Sequence, residues 1–239
     1  MKKLFKLFML SVLLLLVAAC GTSKTGQTKE DKVYVIGTNA EYPPFEYLEN
    51  DQVCGLDADI ISAIAQKLNI QYKWSNTNFD GLIPALQTKK MDAVIAGMSI
   101  TPERSKAVNF SIPYLSSNVA FIANKNKPIN GIEDLENKNY GAELGTTKEA
   151  AARKVKGATV TPFSSNTGAL VALKSGKIDG IVLDESVAVK FVENNPELML
   201  VGTLEGEPKA IASIKMIQNL WKNSIKLFKN LLMMELFKN

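Results

Sequence analysis

The chain of 239 residues carries 28 lysines and arginines against 24 aspartates and glutamates, and it contains no histidine. Without imidazole there is no Ser-His-Asp or Cys-His catalysis and no histidine-ligated metal, and 2 cysteines are too few for a thiolate cage or a disulfide framework. No cofactor and no metal are expected, and an enzyme would have to work with carboxylates, lysines or tyrosines alone.

The start of the chain reads as a targeting segment. Lys2, Lys3 and Lys6 precede the apolar run 7–17, which is shorter than the roughly 20 residues a spanning helix needs. Val17-Ala-Ala-Cys20 closes it and resembles a bacterial lipobox. Residues 1–19 are therefore read as a lipoprotein signal peptide, Cys20 as the acylated N-terminus, and residues 20–32 as a polar, flexible tether. The alternative is a plain secretory signal cleaved after Ala19. Removing three lysines lowers the net charge from +4 to 25 − 24 = +1, so no basic face for nucleic acid is implied.

Strands and helices then alternate. Val33 to Ile36 reads as a buried strand, Asn39 to Phe45 as a proline-rich loop, Ala58 to Leu68 as a helix and Ile70 to Trp74 as a strand. Leu82 to Thr88 reads as a short helix and Ala93 to Ala96 as a strand. A second run of the same kind follows: strand Val119 to Ala123, short helix Ile132 to Leu135, strand Asn139 to Ala142, helix Glu149 to Val155 and strand Thr159 to Thr161. Helix Ala169 to Lys174 and strand Gly180 to Leu183 complete it, and the chain returns through Ala210-Ile-Ala212. This pattern predicts an α/β fold of parallel-rich sheets flanked by helices, with ligands at the carboxyl ends of strands. Cys54 reads as a small buried hydrophobe near a turn.

The most informative stretch runs from Gly97 to Tyr114. Thr101 is placed to N-cap a helix and Pro102 to occupy its first position, which sets Arg104 in the first turn beside free backbone amides. A guanidinium there can grip a carboxylate through two parallel hydrogen bonds. Thr146, with Glu149 three residues later, has the spacing of a capping box opening another helix. Each signature would look the same in an ordinary capped helix with no ligand.

Together with Tyr42-Pro-Pro-Phe45, Gly55-Leu-Asp57, Phe79 to Leu86, Gly145-Thr-Thr147 and Leu183-Asp-Glu185, this stretch resembles the bacterial solute-binding proteins for polar amino acids that serve ABC importers. The resemblance runs in family order from about Val33 to about Ala212. It implies the two-lobed periplasmic-binding-protein-like fold (type II), with residues 33–120 plus 210–239 as lobe 1, residues 121–209 as lobe 2, and two hinge crossings. It also implies a monomer that takes a free amino acid in the cleft, meets membrane permease subunits with their ATPase, and sits in the cell envelope, on its lipid outside the cytoplasmic membrane or in the periplasm.

The resemblance also implies roles for residues. Arg104 would hold the ligand's carboxylate with Ser99, the Gly97 region, Thr146 and Thr147. Asp184 would take its ammonium. Tyr42 and Phe79 would flank its side chain, with cation–π attraction of roughly 0.5–2 kcal/mol for a cationic one. Asn39, Glu41 and Glu143 are further candidates, Asn39 standing where many relatives carry aspartate. A carboxylate buried in the pocket selects a cationic partner, so Glu143 favours arginine or lysine over glutamine. Glu41 and Glu143 facing solvent is the alternative. Two other classes stay open: a dehydratase-type enzyme on the same fold, and a sensing lipoprotein.

From Lys215 the chain is rich in Lys, Asn, Leu and Met and does not resemble the family's ending. Its apolar residues fit an amphipathic helix. Moving the reading frame by one nucleotide at that codon, with A/T-rich codons, gives a string that does resemble the ending. A single-base loss in an A-run near Lys215 is the expectation.

Overall fold

The structure, a computed structural model, describes residues 32–214. The expected signal peptide, Cys20, the tether and the altered ending all lie outside these residues.

Two five-stranded mixed sheets carry the fold. The first is assembled from β1 (Val33–Thr38), β5 (Gln71–Asn76), β6 (Ala93–Val94), β7 (Asn109–Phe110) and β15 (Ala212–Ser213), in the order β5-β1-β6-β15-β7. The second uses β9 (Val119–Asn124), β10 (Asn139–Glu143), β11 (Thr159–Phe163), β12 (Gly180–Asp184) and β13 (Leu198–Leu204), in the order β11-β10-β12-β9-β13. Each sheet has a parallel part and an antiparallel part. In the first, β1 runs parallel to β5 and β6, and β15 runs antiparallel to β6 and β7. In the second, β10 runs parallel to β11 and β12, while β9 runs antiparallel to β12 and β13.

Helices cover the sheets for reasons visible in their sequences. Helix α1 (Leu56–Leu68) buries Ile60, Ile61, Ile64 and Ala65 on one face and stops at Asn69, whose φ of 50° is left-handed. Helix α2 (Phe79–Gln87) starts three residues before its expected first residue, and α3 (Pro102–Ala107) begins at the predicted proline. On the second sheet lie α4 (Thr147–Lys154), α5 (Asn166–Lys174) and α6 (Glu185–Asn194). The expected helix at Ile132 to Leu135 is a single 3₁₀ turn, Ile132–Asp134.

The proline-rich loop is more ordered than its composition implies. It opens a small antiparallel sheet of β2 (Glu41–Tyr42), β3 (Glu46–Glu49) and β4 (Gln52–Cys54), with Cys54 half-buried in β4 rather than packed in the core. Tyr42 and Phe45 leave this sheet to join an apolar cluster with Ala120, Ile122, Leu183 and Val187 of the second half. One core thus contains residues from both halves.

Among the described residues the chain crosses between the halves twice, once before β9 and once after β13. The crossings pair with each other through β8 (Leu115–Ser116) and β14 (Pro208–Lys209). They touch so closely that a Cβ at Gly206 would lie 2.0 Å from the Ser117 carbonyl oxygen, so only glycine fits.

Candidate functional site

The site is built where loops and helix starts of the two halves meet. Thr101 adopts extended backbone and its hydroxyl accepts from the Arg104 amide at 3.2 Å, the cap expected from the sequence. Arg104 then reaches across both halves, donating to the Ser99 carbonyl at 2.7 Å and the Gly145 carbonyl at 2.9 Å. Its guanidinium carbon lies 5.1 Å from the centre of the Phe79 ring. Five N–H donors are available on a guanidinium, so these two bonds leave others for a ligand. Burial pulls Arg104 down to about 10, with Glu207 and Asp184 opposing.

Opposite it, Thr146 caps α4, accepting from the Glu149 amide at 3.2 Å and donating to the Glu143 carbonyl at 2.6 Å. Glu149 turns back to accept from the Gly145 amide at 2.8 Å, one residue short of the usual capping-box partner. Thr147 brings its hydroxyl within 3.1 Å of Ser99 Oγ, either group being the donor. Gly97 has a φ of 50° and lies against the Tyr42 ring, and its amide donates to Asp57 Oδ2 at 2.8 Å.

Asp184 ends β12 and is 1% exposed. It accepts from Lys209 Nζ at 2.6 Å, from Lys148 Nζ at 2.8 Å and from the Tyr42 hydroxyl at 3.0 Å. Its own amide donates back to that hydroxyl at 2.9 Å. Burial alone would raise its carboxyl, but Lys148 and Lys209 hold it below the usual carboxylate range. Lys209, 0% exposed, also donates to Ser99 Oγ at 2.9 Å. Burial, reinforced by Lys148, pulls it down to about 7. Lys148 lies 5.4 Å from the centre of the Tyr42 ring.

Glu143 is buried at the end of β10. Asn166 donates to its Oε2 at 2.8 Å, while its Oε1 has no partner. Burial pushes its carboxyl up to about 7, with Asn166 and Lys148 opposing and Glu41 and Asp80 adding to the rise. Glu41 itself is exposed, and Asn39 is buried with its amide donated to the Thr77 carbonyl at 3.1 Å.

Behind the site, Glu46 and Asp57 are fully buried, and Glu46 Oε2 and Asp57 Oδ1 have no hydrogen-bond partner. Burial raises both, Asp57 to about 6, and the Tyr114 hydroxyl donates to Asp57 Oδ2 at 3.1 Å.

Most of the candidates are thus drawn together: Tyr42, Phe79, Gly97, Ser99, Arg104, Glu143, Thr146, Thr147 and Asp184. The expectation overlooked Lys148, Lys209 and Asn166. Lys148 directly follows Gly145-Thr-Thr147 and Lys209 directly precedes the apolar run 210–212, but a lysine beside an apolar run carries no signal of burial, since lysines are mostly exposed.

The profile of bacterial extracellular solute-binding proteins, family 3, matches residues 34–201. The chain belongs to this family. A probable histidine-binding protein of Campylobacter jejuni is 37% identical over 205 residues, spanning 83% of this chain and 80% of that one. The arginine-binding extracellular protein ArtP of Bacillus subtilis is 31% identical over 201 residues, spanning 83% and 79%. Among solved structures, truncated arginine-bound ArgBP from T. maritima superposes with a TM-score of 0.77 at 36% identity, covering 83% of this chain and 96% of that one. The arginine-, lysine-, histidine-binding protein ArtJ from Geobacillus stearothermophilus gives 0.79 at 28%, covering 83% and 90%. This solute-binding protein therefore has the two-lobed periplasmic-binding fold, its relatives are binding proteins, and its family is extracellular. No helix among the described residues is long and apolar enough to cross a membrane.

Proposed function

We propose that the protein is the non-enzymatic capture subunit of an amino-acid ABC importer, anchored through acylated Cys20, and that its ligand is a free amino acid with a cationic side chain. The observation that carries this reading is the buried Glu143 carboxyl, one oxygen unpartnered, in reach of Lys148 and close to Glu41 and Asp80. An acidic end of this kind stabilises a guanidinium or ammonium and penalises a neutral amide. Arg104 on its Phe79 face provides for the carboxylate at the other end. The relatives, named as arginine- and histidine-binding proteins, agree with a polar amino acid. Residues 33–120 plus 210–239, and residues 121–209, act as the two lobes that close over it, and the closed form is what a permease meets.

A thermal-shift screen against the free amino acids tests the reading. A ligand at 100 times its Kd stabilises by about 2.7 kcal/mol, a readily visible change in melting temperature. Shifts with arginine or lysine that disappear in Glu143→Gln are expected. A shift with glutamine alone would discard the cationic pocket, and a sharp melt that no amino acid moves would discard the capture function.

A further inference from the structure

Asp184 already carries two ammonium groups, Lys209 on Oδ1 at 2.6 Å and Lys148 on Oδ2 at 2.8 Å, with Tyr42 on Oδ2 as well. A carboxylate offers about four lone-pair sites, so one remains for a further donor. Charge is the harder limit. An amino acid whose ammonium reaches Asp184 brings a third cation to one buried carboxylate, and like charges 4 Å apart repel by about 4 kcal/mol at an effective dielectric of 20. One of the three must move away or lose its charge.

Lys209 cannot swing out. Its backbone pairs with Leu115, its carbonyl accepts from the Tyr114 amide at 2.9 Å, and it bridges Ser99 on its other side. Its side chain is fully enclosed, with Ser99 Oγ and Asp184 as its bonding partners.

We infer that Lys209 is a specificity-determining residue that exchanges its proton for the ligand's ammonium: as the ammonium engages Asp184, the Lys209 ammonium becomes a neutral amine and one proton leaves to solvent. The balance is simple. One N–H bond of Lys209 breaks, the proton passes to water or buffer, and the charge around Asp184 is unchanged because the ligand's ammonium replaces it. The neutral amine keeps Ser99, whose hydroxyl can now donate to it.

The inference rests on the amino-acid reading above. Its electrostatics are consistent with the surroundings. Asp184 on β12 and Asp57 on α1 favour the Lys209 proton, whereas Lys148 on α4 opposes it. Tyr42 and Tyr114 face the same acids, and Arg104 acts on Asp184 from the far side. Lys209 already titrates at about 7, so the exchange asks little of it near neutrality.

The test is isothermal titration of the purified protein at pH 6 in two buffers of different ionisation enthalpy. The probes are L-arginine and 5-guanidinopentanoate, which has the same carboxylate and guanidinium but no ammonium. A cationic side chain beside Glu143 releases protons with either probe, so their difference isolates the ammonium. Arginine is expected to release about one proton more than the control, and its affinity to gain up to about tenfold per pH unit over the control below pH 7. In Lys209→Met the difference disappears, and in Lys148→Met it shrinks, because only two cations then meet at Asp184 and Lys209 holds its proton more firmly. Should Lys209→Met fail to fold, the wild-type pair of titrations still decides. Equal proton release by both probes overturns the inference and leaves amino-acid capture standing. If arginine, lysine, histidine and glutamine all fail to bind, the capture reading falls and this inference falls with it.

Discussion

Arg104 owes its position to three neighbours that are close in sequence: the Thr101 cap, the Pro102 first turn and the Ser99 carbonyl. A lysine there keeps the charge but loses the planar fork and the face laid on Phe79. Arg104→Lys is expected to weaken amino-acid binding by about 2–3 kcal/mol, roughly 30- to 150-fold. The urea midpoint without ligand should change little, because α3 is capped by Thr101 and not by the arginine. Calorimetric titration beside urea unfolding checks both halves of that statement. The residue was legible because caps are local. Lys148 and Lys209 were not, since their partner Asp184 lies 36 and 25 residues away and a buried lysine is spelled like a surface one. Glu46 and Asp57 were hidden similarly: nothing in the neighbours of either announces a buried carboxyl.

At the scale of elements, α4 holds its site through one hydroxyl used twice. Thr146 Oγ1 accepts from Glu149 at the helix start and donates to the Glu143 carbonyl at the end of β10. Thr146→Ala removes both bonds, and a lost cap costs about 1 kcal/mol, within a range of roughly 0.5–2. The expected outcome is a urea midpoint lowered accordingly, with ligand affinity also reduced because Thr147 and Lys148 follow in the same first turn. Thr146→Ser should restore both. The repeating strand–helix order was readable because apolar runs and helical spacing are carried by contiguous residues. The antiparallel strands β7 and β15 were not, since each has two residues and exists only through pairing with a distant segment. The 3₁₀ turn at Ile132–Asp134 is shorter than the expected helix because Ile132 and Leu135 are followed by no further apolar residue before Tyr140, and Asn137 at a φ of 59° turns the chain.

For the whole molecule, the buried charges set an unusual dependence on pH. Glu143 titrates at about 7 and Asp57 at about 6 when folded, above their ordinary values, so the folded chain binds more protons and loses stability as pH rises towards 7. Lys209 is lowered from 10.5 to about 7, so the folded chain binds fewer protons above that point and regains stability as pH rises further. Asp184, held low, contributes its loss only in strong acid. Burial raises the Glu46 carboxyl as well, which adds to the fall and opposes the recovery above neutrality. The urea midpoint without added ligand is therefore expected to be higher at pH 5.5 than at pH 7, and Glu143→Gln should flatten that fall. A midpoint that rises from pH 5.5 to pH 7 would contradict the burial of these groups.

Lys209 also lies in β14, the second of the two crossings, paired with Leu115 of the first and three residues after tightly packed Gly206. The side chain that feels the ligand's charge therefore belongs to the joint itself. Force has no linkage to travel through: handle and fulcrum are one piece of chain, and a change of charge at Asp184 loads the joint directly.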